Sequence, residues 1–373
     1  MKPYLAALVT TLVLLAPASN AYAQNPEPLD IRACTAIETD SQRLACYDHS
    51  TGRENLPTAQ KRGADEPKAT TSSAADNVFS HDRRGKPIPT VAEAASQNTV
   101  APPLSLLDSR WELAPESKLG TFNVRSYRPV YVMPVFATSH QNKLPRSPNP
   151  TNTVTKPQQL QNIETKFQLS LKTKIWQGVF GDAGDLWAGY TQSSHWQTFN
   201  KRVSRPFRET DYEPEAMLVF NTNYHVFGWD GRLLGIGVAH QSNGRSDPLS
   251  RSWNRVIADF GFERDGWTVM VRPWWRIPES RTDDNNPDIS DYAGRGDVQI
   301  VHEWNGQEFG LLLRHSLRSG SRSHGAAQLT WSFPMFGNVR GYAELFKGYG
   351  ESLIDYNHNA TYVGVGISLL DWY

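Results

Sequence analysis

The chain of 373 residues is predicted to fold as an all-β protein, a twelve-stranded antiparallel transmembrane β-barrel behind an N-terminal periplasmic extension. Three observations predict this class. The first 23 residues carry the marks of an export signal. From about residue 120, segments of roughly ten residues alternate apolar and polar side chains between turn signals, as strands do when one face meets lipid. Twelve Trp and fourteen Tyr could form girdles at the two membrane interfaces, while past residue 24 no apolar run approaches the roughly 20 residues of a spanning helix.

In chain order, residues 1–23 read as a signal peptide, with Lys2 as the positive region, Leu5 to Leu15 as the apolar run and Ala21-Tyr22-Ala23 as the cleavage site before Gln24. No cysteine sits at that site, which argues against a lipoprotein anchor. Residues 24–52 form a small periplasmic segment holding both cysteines, Cys34 and Cys46, in ACTAIETDSQRLACYD. In an exported chain such a pair favours a local disulfide; half of a metal site is the alternative, and matching ligands are missing nearby. Residues 53–119 are rich in Ala, Ser, Thr, Pro, Lys and Asp and poor in apolar side chains. Such a stretch buries too little surface to offset its ordering entropy, so it reads as a flexible linker. Lys plus Arg balance Asp plus Glu at 38 each, which gives no reason to expect a nucleic-acid partner.

Residues 120–373 are the barrel domain, with strands expected near 125–137, 164–178, 184–198, 212–227, 232–243, 252–264, 266–278, 296–305, 307–318, 324–335, 338–350 and 360–373. An even number leaves both termini on one side. The last, TYVGVGISLLDWY, puts Val363, Val365, Ile367 and Leu369 on one face against Gly364, Gly366 and Ser368, and ends on the aromatic Tyr373. With the N-terminus in the periplasm, odd strands run outward.

Chemistry gathers on one hairpin, residues 232–262. As a strand, RLLGIGVAHQS puts Leu234, Ile236, Val238, His240 and Ser242 on one face. In the returning arm, Ser252, Asn254, Val256, Ala258, Phe260 and Phe262 share a face, with Arg255 and Asp259 on the other. Pairing Ser242 with Ser252 sets His240 beside Asn254, since facing residues of an antiparallel pair lie about 5 Å apart. A hydroxyl, an imidazole and an amide therefore continue an apolar surface at the external rim. This pattern suits an esterase whose substrate arrives through lipid, with Ser242 as nucleophile, His240 as base and Asn254 orienting the imidazole. Any one of these residues alone is ordinary where a strand leaves a membrane; all three on one face are not. No GxSxG elbow occurs, which excludes an α/β-hydrolase.

The segment HQSNGRSDPLSRSWNR (His240 to Arg255) resembles the active-site segment of the bacterial outer membrane phospholipase A family. The resemblance runs over about 120–373 and includes YTQSSHWQ, SRPFRETDYEPE, DDNNPDI and GYGESLIDYN. It implies a twelve-stranded barrel in the outer membrane that hydrolyses sn-1 and sn-2 acyl esters of phospholipids and lysophospholipids with Ca2+. It further implies the roles just given to Ser242, His240 and Asn254, an oxyanion donor at the Gly244 amide, and calcium ligands at the Arg245 carbonyl and Ser250. Ser204 is implied as a ligand from the second subunit of a homodimer. The donors agree with calcium, though weakly: a set with few carboxylates binds loosely and keeps waters. DDNNPDI looks more calcium-like, yet Asp-Asn-Pro clusters are common loop chemistry, and a structural role is expected.

Gln192 shares a face with Leu186, Ala188, Tyr190 and Trp196, so an amide points where lipid should be. A buried amide needs a partner; the resemblance implies a homodimer interface that supplies one, and the alternative is a Gln wetted near the headgroups. Two rival readings remain from the sequence. A catalytically silent barrel or porin predicts conductance and no effect of Ser242→Ala; a soluble secreted β-protein predicts charges on both strand faces.

Overall fold

The computed structural model describes residues 42–44, 46–47, 105–337 and 339–371. The signal peptide, Cys34 and hence the Cys34–Cys46 pairing, residues 53–104 and Tyr373 lie outside the described residues. The chain divides into two units, 1–73 and 74–373; the described residues of the first are helical, and the second contains the barrel.

Alternation builds the wall. The strands are β1 (Val124–Ser126), β2 (Val130–Thr138), β3 (Ile163–Trp176), β4 (Asp185–Trp196), β5 (Phe207–Val226), β6 (Trp229–Ser242) and β7 (Ser252–Arg264). They continue as β8 (Trp267–Ile277), β9 (Gly296–Trp304), β10 (Gln307–His315), β11 (Gly325–Phe336), β12 (Val339–Tyr349) and β13 (Asn359–Leu370). Every neighbour from β2 to β13 pairs antiparallel, and β13 pairs back to β2, which closes twelve strands with no free edge. The first expected strand, 125–137, is split in two. Both β1 and β2 lie on β3, through Arg125↔Lys172 and Tyr131↔Gln168. The break falls at Tyr127-Arg128-Pro129, where proline has no N–H for the ladder and the Arg128 N–H turns to Ser170 Oγ at 3.1 Å.

Turn chemistry orients the barrel. At one end Asp265-Gly266 and Asn305-Gly306 connect strands in two residues, both at positive φ, the conformation of a tight hairpin turn. Long connections (139–162, 197–206, 243–251, 278–295, 316–324 and 350–358) crowd the other end. Short turns mark the periplasmic side and long loops the exterior.

Burial is inverted relative to a soluble protein. Ile236 and Val238 are 54% and 52% exposed, and Val363, Val365, Ile367 and Leu369 likewise face outward. Inside, the charges pair: Arg128 with Glu213 (2.8 Å) and Glu215 (3.1 Å), Arg272 with Glu215 (2.9 Å) and Asp259 (2.7 Å), Lys166 with Glu344 (2.7 Å) and Glu351 (2.9 Å). Burying a charge is tolerable only when it is paired. This distribution rules against the soluble β-protein. A lumen so filled, with a residual cavity of about 190 Å³, also argues against a wide aqueous pore.

One expectation is corrected. Residues 105–119, assigned above to a flexible linker, are built into the barrel. Helix α1 (Leu106–Trp111) begins at Ser105, whose Oγ accepts the Asp108 N–H at 3.1 Å. Leu107, Trp111 and Leu113 then pack with Trp187, Met217, Leu233 and Met270 in the lumen. The Lys172 ammonium sits 3.0 Å from the centre of the Trp111 ring, and Glu112 pairs with Lys174 at 2.8 Å. A six-residue helix disappears in composition averaged over a long polar stretch, although Ser105 and the Leu107–Trp111 spacing carry its signal.

Candidate active site

The register places the three residues. In the β6–β7 pair Ser242 faces Ser252 and His240 faces Asn254, the alignment expected from sequence. Leu234, Ile236, Val238 and His240 are exposed on the outer wall, whereas Leu233 and Ala239 are buried inward. His240 Nδ1 lies 2.8 Å from Asn254 Oδ1. Because the amide oxygen only accepts, Nδ1 is the ring nitrogen that donates, and in a neutral ring Nε2 is then the one with a lone pair. Ser242 follows His240 by two residues on the same face, with Tyr212 opposite it on β5.

After Ser242 the chain turns sharply. Asn243 is buried and acts as a rivet. Its Oδ1 accepts the N–H groups of Arg251 (3.0 Å) and Arg245 (3.3 Å), and its Nδ2 donates to Glu209 (2.9 Å) and the Leu249 carbonyl (2.8 Å). Held this way, Gly244 takes φ +60°, which glycine adopts without cost. A Cβ there would stand 3.2 Å from Tyr212 Cε2. The exposed Gly244 N–H has no hydrogen-bond partner among the described residues, so it is a donor available beside Ser242.

The segment DDNNPDI braces this loop, consistent with the structural role expected of it. Asn285 Nδ2 donates to Ser250 Oγ at 2.6 Å, and Asn286 Oδ1 accepts the Ser252 N–H at 3.1 Å. From the 139–162 loop, Asn152 Nδ2 donates to Asp247 Oδ1 at 2.6 Å and to the Ser250 carbonyl at 3.3 Å. Asn285 takes one lone pair of Ser250 Oγ, and a hydroxyl oxygen has a second to offer. Ser204 lies on the next external loop, exposed at positive φ, and makes no hydrogen bond to Arg245 or Ser250 among the described residues. Among the described residues no cluster of three His, Cys, Asp or Glu could hold a metal.

Gln192 faces outward on β4, in line with Tyr212 on β5 and, across it, Ser242 on β6. Its amide already has local partners: Tyr190 OH donates to Oε1 at 3.2 Å, and Nε2 reaches Ser194 Oγ at 3.4 Å. The need for a partner from a second copy is thereby reduced to the remaining proton and lone pair.

Sequence reasoning missed Glu279. Asn254 Nδ2 donates to its Oε1 at 3.0 Å. Burial raises the Glu279 carboxyl above the ordinary glutamate range and Asp284 adds to this, against the opposing pull of Arg276, the Asn254 hydrogen bond and His240. The signal was the β7–β8 register, in which Ile277 pairs with Asn254 and places residue 279 two steps beyond.

Comparison with known proteins supplies a context for this geometry. A model of the family described as phospholipase A1 matches residues 107–369. A putative phospholipase A1 of Neisseria meningitidis serogroup B is 39% identical over 91% of this chain and 90% of its own length. That span exceeds the barrel, so likeness is not confined to 120–373 as the motifs suggested. Phospholipase A1 of Escherichia coli K12 is 44% identical over 56% of the chain and 70% of its own length. Among solved structures, outer membrane phospholipase A from Escherichia coli superposes with a TM-score of 0.60 at 38% identity, covering 67% of this chain and 95% of that one. The Salmonella typhi outer membrane phospholipase dimer with bound calcium gives 0.60 at 39% identity, covering 68% and 94%.

Proposed function

Because this chain belongs to the phospholipase A1 family and is an outer-membrane β-barrel enzyme, we propose that it hydrolyses sn-1 and sn-2 acyl esters of phospholipids and lysophospholipids through Ser242, His240 and Asn254. The observation that carries this reading is the 2.8 Å contact between His240 Nδ1 and Asn254 Oδ1, on the same lipid-facing surface as Ser242. Ser242 Oγ attacks the acyl carbonyl while His240 Nε2 takes its proton; Asn254 keeps the other ring nitrogen protonated and the ring oriented. The Gly244 N–H donates to the oxyanion. His240 returns the proton to the departing glycerol oxygen, leaving the acyl group on Ser242; it then takes a proton from the water that attacks the acyl carbonyl and passes it to Ser242 Oγ as the fatty acid leaves.

The donors at the loop fit a loosely held hard cation. The Arg245 carbonyl and Ser250 Oγ of one copy, with Ser204 of a second copy, would hold Ca2+ together with waters. Bound there, the ion supplies positive charge near the oxyanion. On this reading a homodimer in the outer membrane completes the site, with Gln192 in its interface, and pairing and lipid access control turnover.

The test is lysophospholipid hydrolysis by detergent-folded protein with and without chelator. Ser242→Ala should cost ~10⁵–10⁶ in kcat, the scale of losing a serine-hydrolase nucleophile, and chelator should silence the wild type. Conductance, with no lysophospholipid hydrolysis by the wild type and no function lost in Ser242→Ala, would favour a passive barrel. A monomer with full calcium-dependent turnover would refute control by dimerisation.

A further inference from the structure

We infer that Glu279 is a positioning residue for this hydrolysis: it fixes which end of the Asn254 amide faces His240, and so which ring nitrogen carries the proton. The inference rests on the reading of Ser242, His240 and Asn254 above.

The two ends of a carboxamide have nearly the same shape, so sterics alone do not choose between them. The neighbours choose. Asn254 lies between His240, 2.8 Å from Oδ1, and Glu279, 3.0 Å from Nδ2. An ionised carboxylate only accepts, so it holds the NH2 end and leaves Oδ1 for the imidazole. In the flipped amide, oxygen would face oxygen at Glu279. The NH2 would then meet His240 Nδ1, which would have to give up its proton to accept. The ring proton would move to Nε2, and that nitrogen could no longer take the proton of Ser242. A flip of one amide thus disables the base.

The other charges near Glu279 leave it free for this role. Arg276 is engaged by Asp284 at 2.6 Å and by the Pro287 carbonyl at 3.0 Å. Glu279 itself stands in the loop after β8, half-buried, beyond the membrane-facing strand. A carboxylate placed directly against His240 would sit on the lipid-facing wall, where an uncompensated charge is costly. Here it stands one amide further out.

The experiment uses the full chain, folded in detergent with calcium, and reads kcat and KM on lysophospholipid together with the rate of Ser242 acylation by an alkylsulfonyl fluoride. Glu279→Ala should lower kcat and the acylation rate by roughly tenfold, with KM unchanged. Glu279→Gln, which can still accept through its carbonyl, should lose less. The decisive arm is Asn254→Asp. The carboxylate introduced by that substitution has no NH2 for Glu279 to hold, and the two acidic groups repel. Glu279→Gln should therefore raise kcat in that background while lowering it in the wild type. A residue that merely supports the loop would act with the same sign in both. Equal signs, or wild-type acylation in Glu279→Ala, would overturn the inference. Ser242→Ala separates the two levels: if it is dead while Glu279→Ala is normal, only this inference fails; if it turns over, the hydrolase reading fails and this inference with it.

Discussion

Gly244→Ala tests the oxyanion assignment through backbone geometry. Gly244 sits at φ +60°, in the left-handed region, where a Cβ costs an L-residue about 1–2 kcal/mol. The added methyl would also stand 3.2 Å from Tyr212 Cε2, closer than carbon atoms settle, so ring or loop must yield by a few tenths of an ångström. The loop is poorly placed to yield, since Asn243 pins it through four hydrogen bonds. Movement of the N–H away from the oxyanion forfeits a donor whose loss costs about 10²–10³ in kcat in serine hydrolases, or roughly 2.7–4 kcal/mol. The barrel should lose only the backbone strain. Gly244→Ala should therefore fold, judged by its heat-modifiable gel mobility, while kcat falls by ~10²-fold at nearly constant KM. Tyr212→Ala combined with Gly244→Ala relieves the contact and leaves the strain, which divides the two causes. Full kcat in Gly244→Ala would refute the argument, because neither the glycine conformation nor its N–H position would then matter.

Three further outcomes follow from the same physics. Lys166→Ala leaves Glu344 and Glu351 without their buried ammonium and should cost about 3–5 kcal/mol of stability in denaturant titrations of the folded barrel; a loss under about 1 kcal/mol would show that lumen water already compensates these carboxylates. Asn285→Ala releases Ser250 Oγ and should raise the calcium needed for half-maximal turnover by at least about tenfold, the scale for an outer partner of a metal ligand, with kcat at saturating calcium preserved. The raised Glu279 carboxyl means the folded chain holds that proton more tightly than the unfolded one. Its contribution is complete below the ordinary glutamate range and is lost as pH rises through the raised value. Glu279→Gln should flatten that part of the curve of denaturation midpoint against pH; an identical slope in both proteins would assign the pH dependence elsewhere.

Much of the molecule was legible from periodicity. A period of two in residues 232–242 and 252–262 fixes which side chains share a face, and one assumed pairing, Ser242 with Ser252, then dictates that His240 meets Asn254. The outward face of the last strand follows from the same rule. A membrane reinforces it, because a one-residue slip would turn a row of charges into lipid.

Other features depend on contacts between segments far apart in sequence. Whether α1 is linker or part of the lumen is decided by Leu107 and Trp111 meeting Leu233 and Trp187, and no local pattern encodes that cavity. The break between β1 and β2 depends on Ser170 being in reach of the Arg128 N–H. DDNNPDI is expected to be structural, but what it braces is decided only by Asn285 meeting Ser250 and Asn286 meeting Ser252. The carboxylate behind Asn254 comes from a different strand's loop. Sequence alone determined the faces of the strands, since alternation is a property of the extended backbone. Only the tertiary structure decided which polar groups meet across strands and loops, since a hydrogen bond depends on distance in space rather than on separation along the chain.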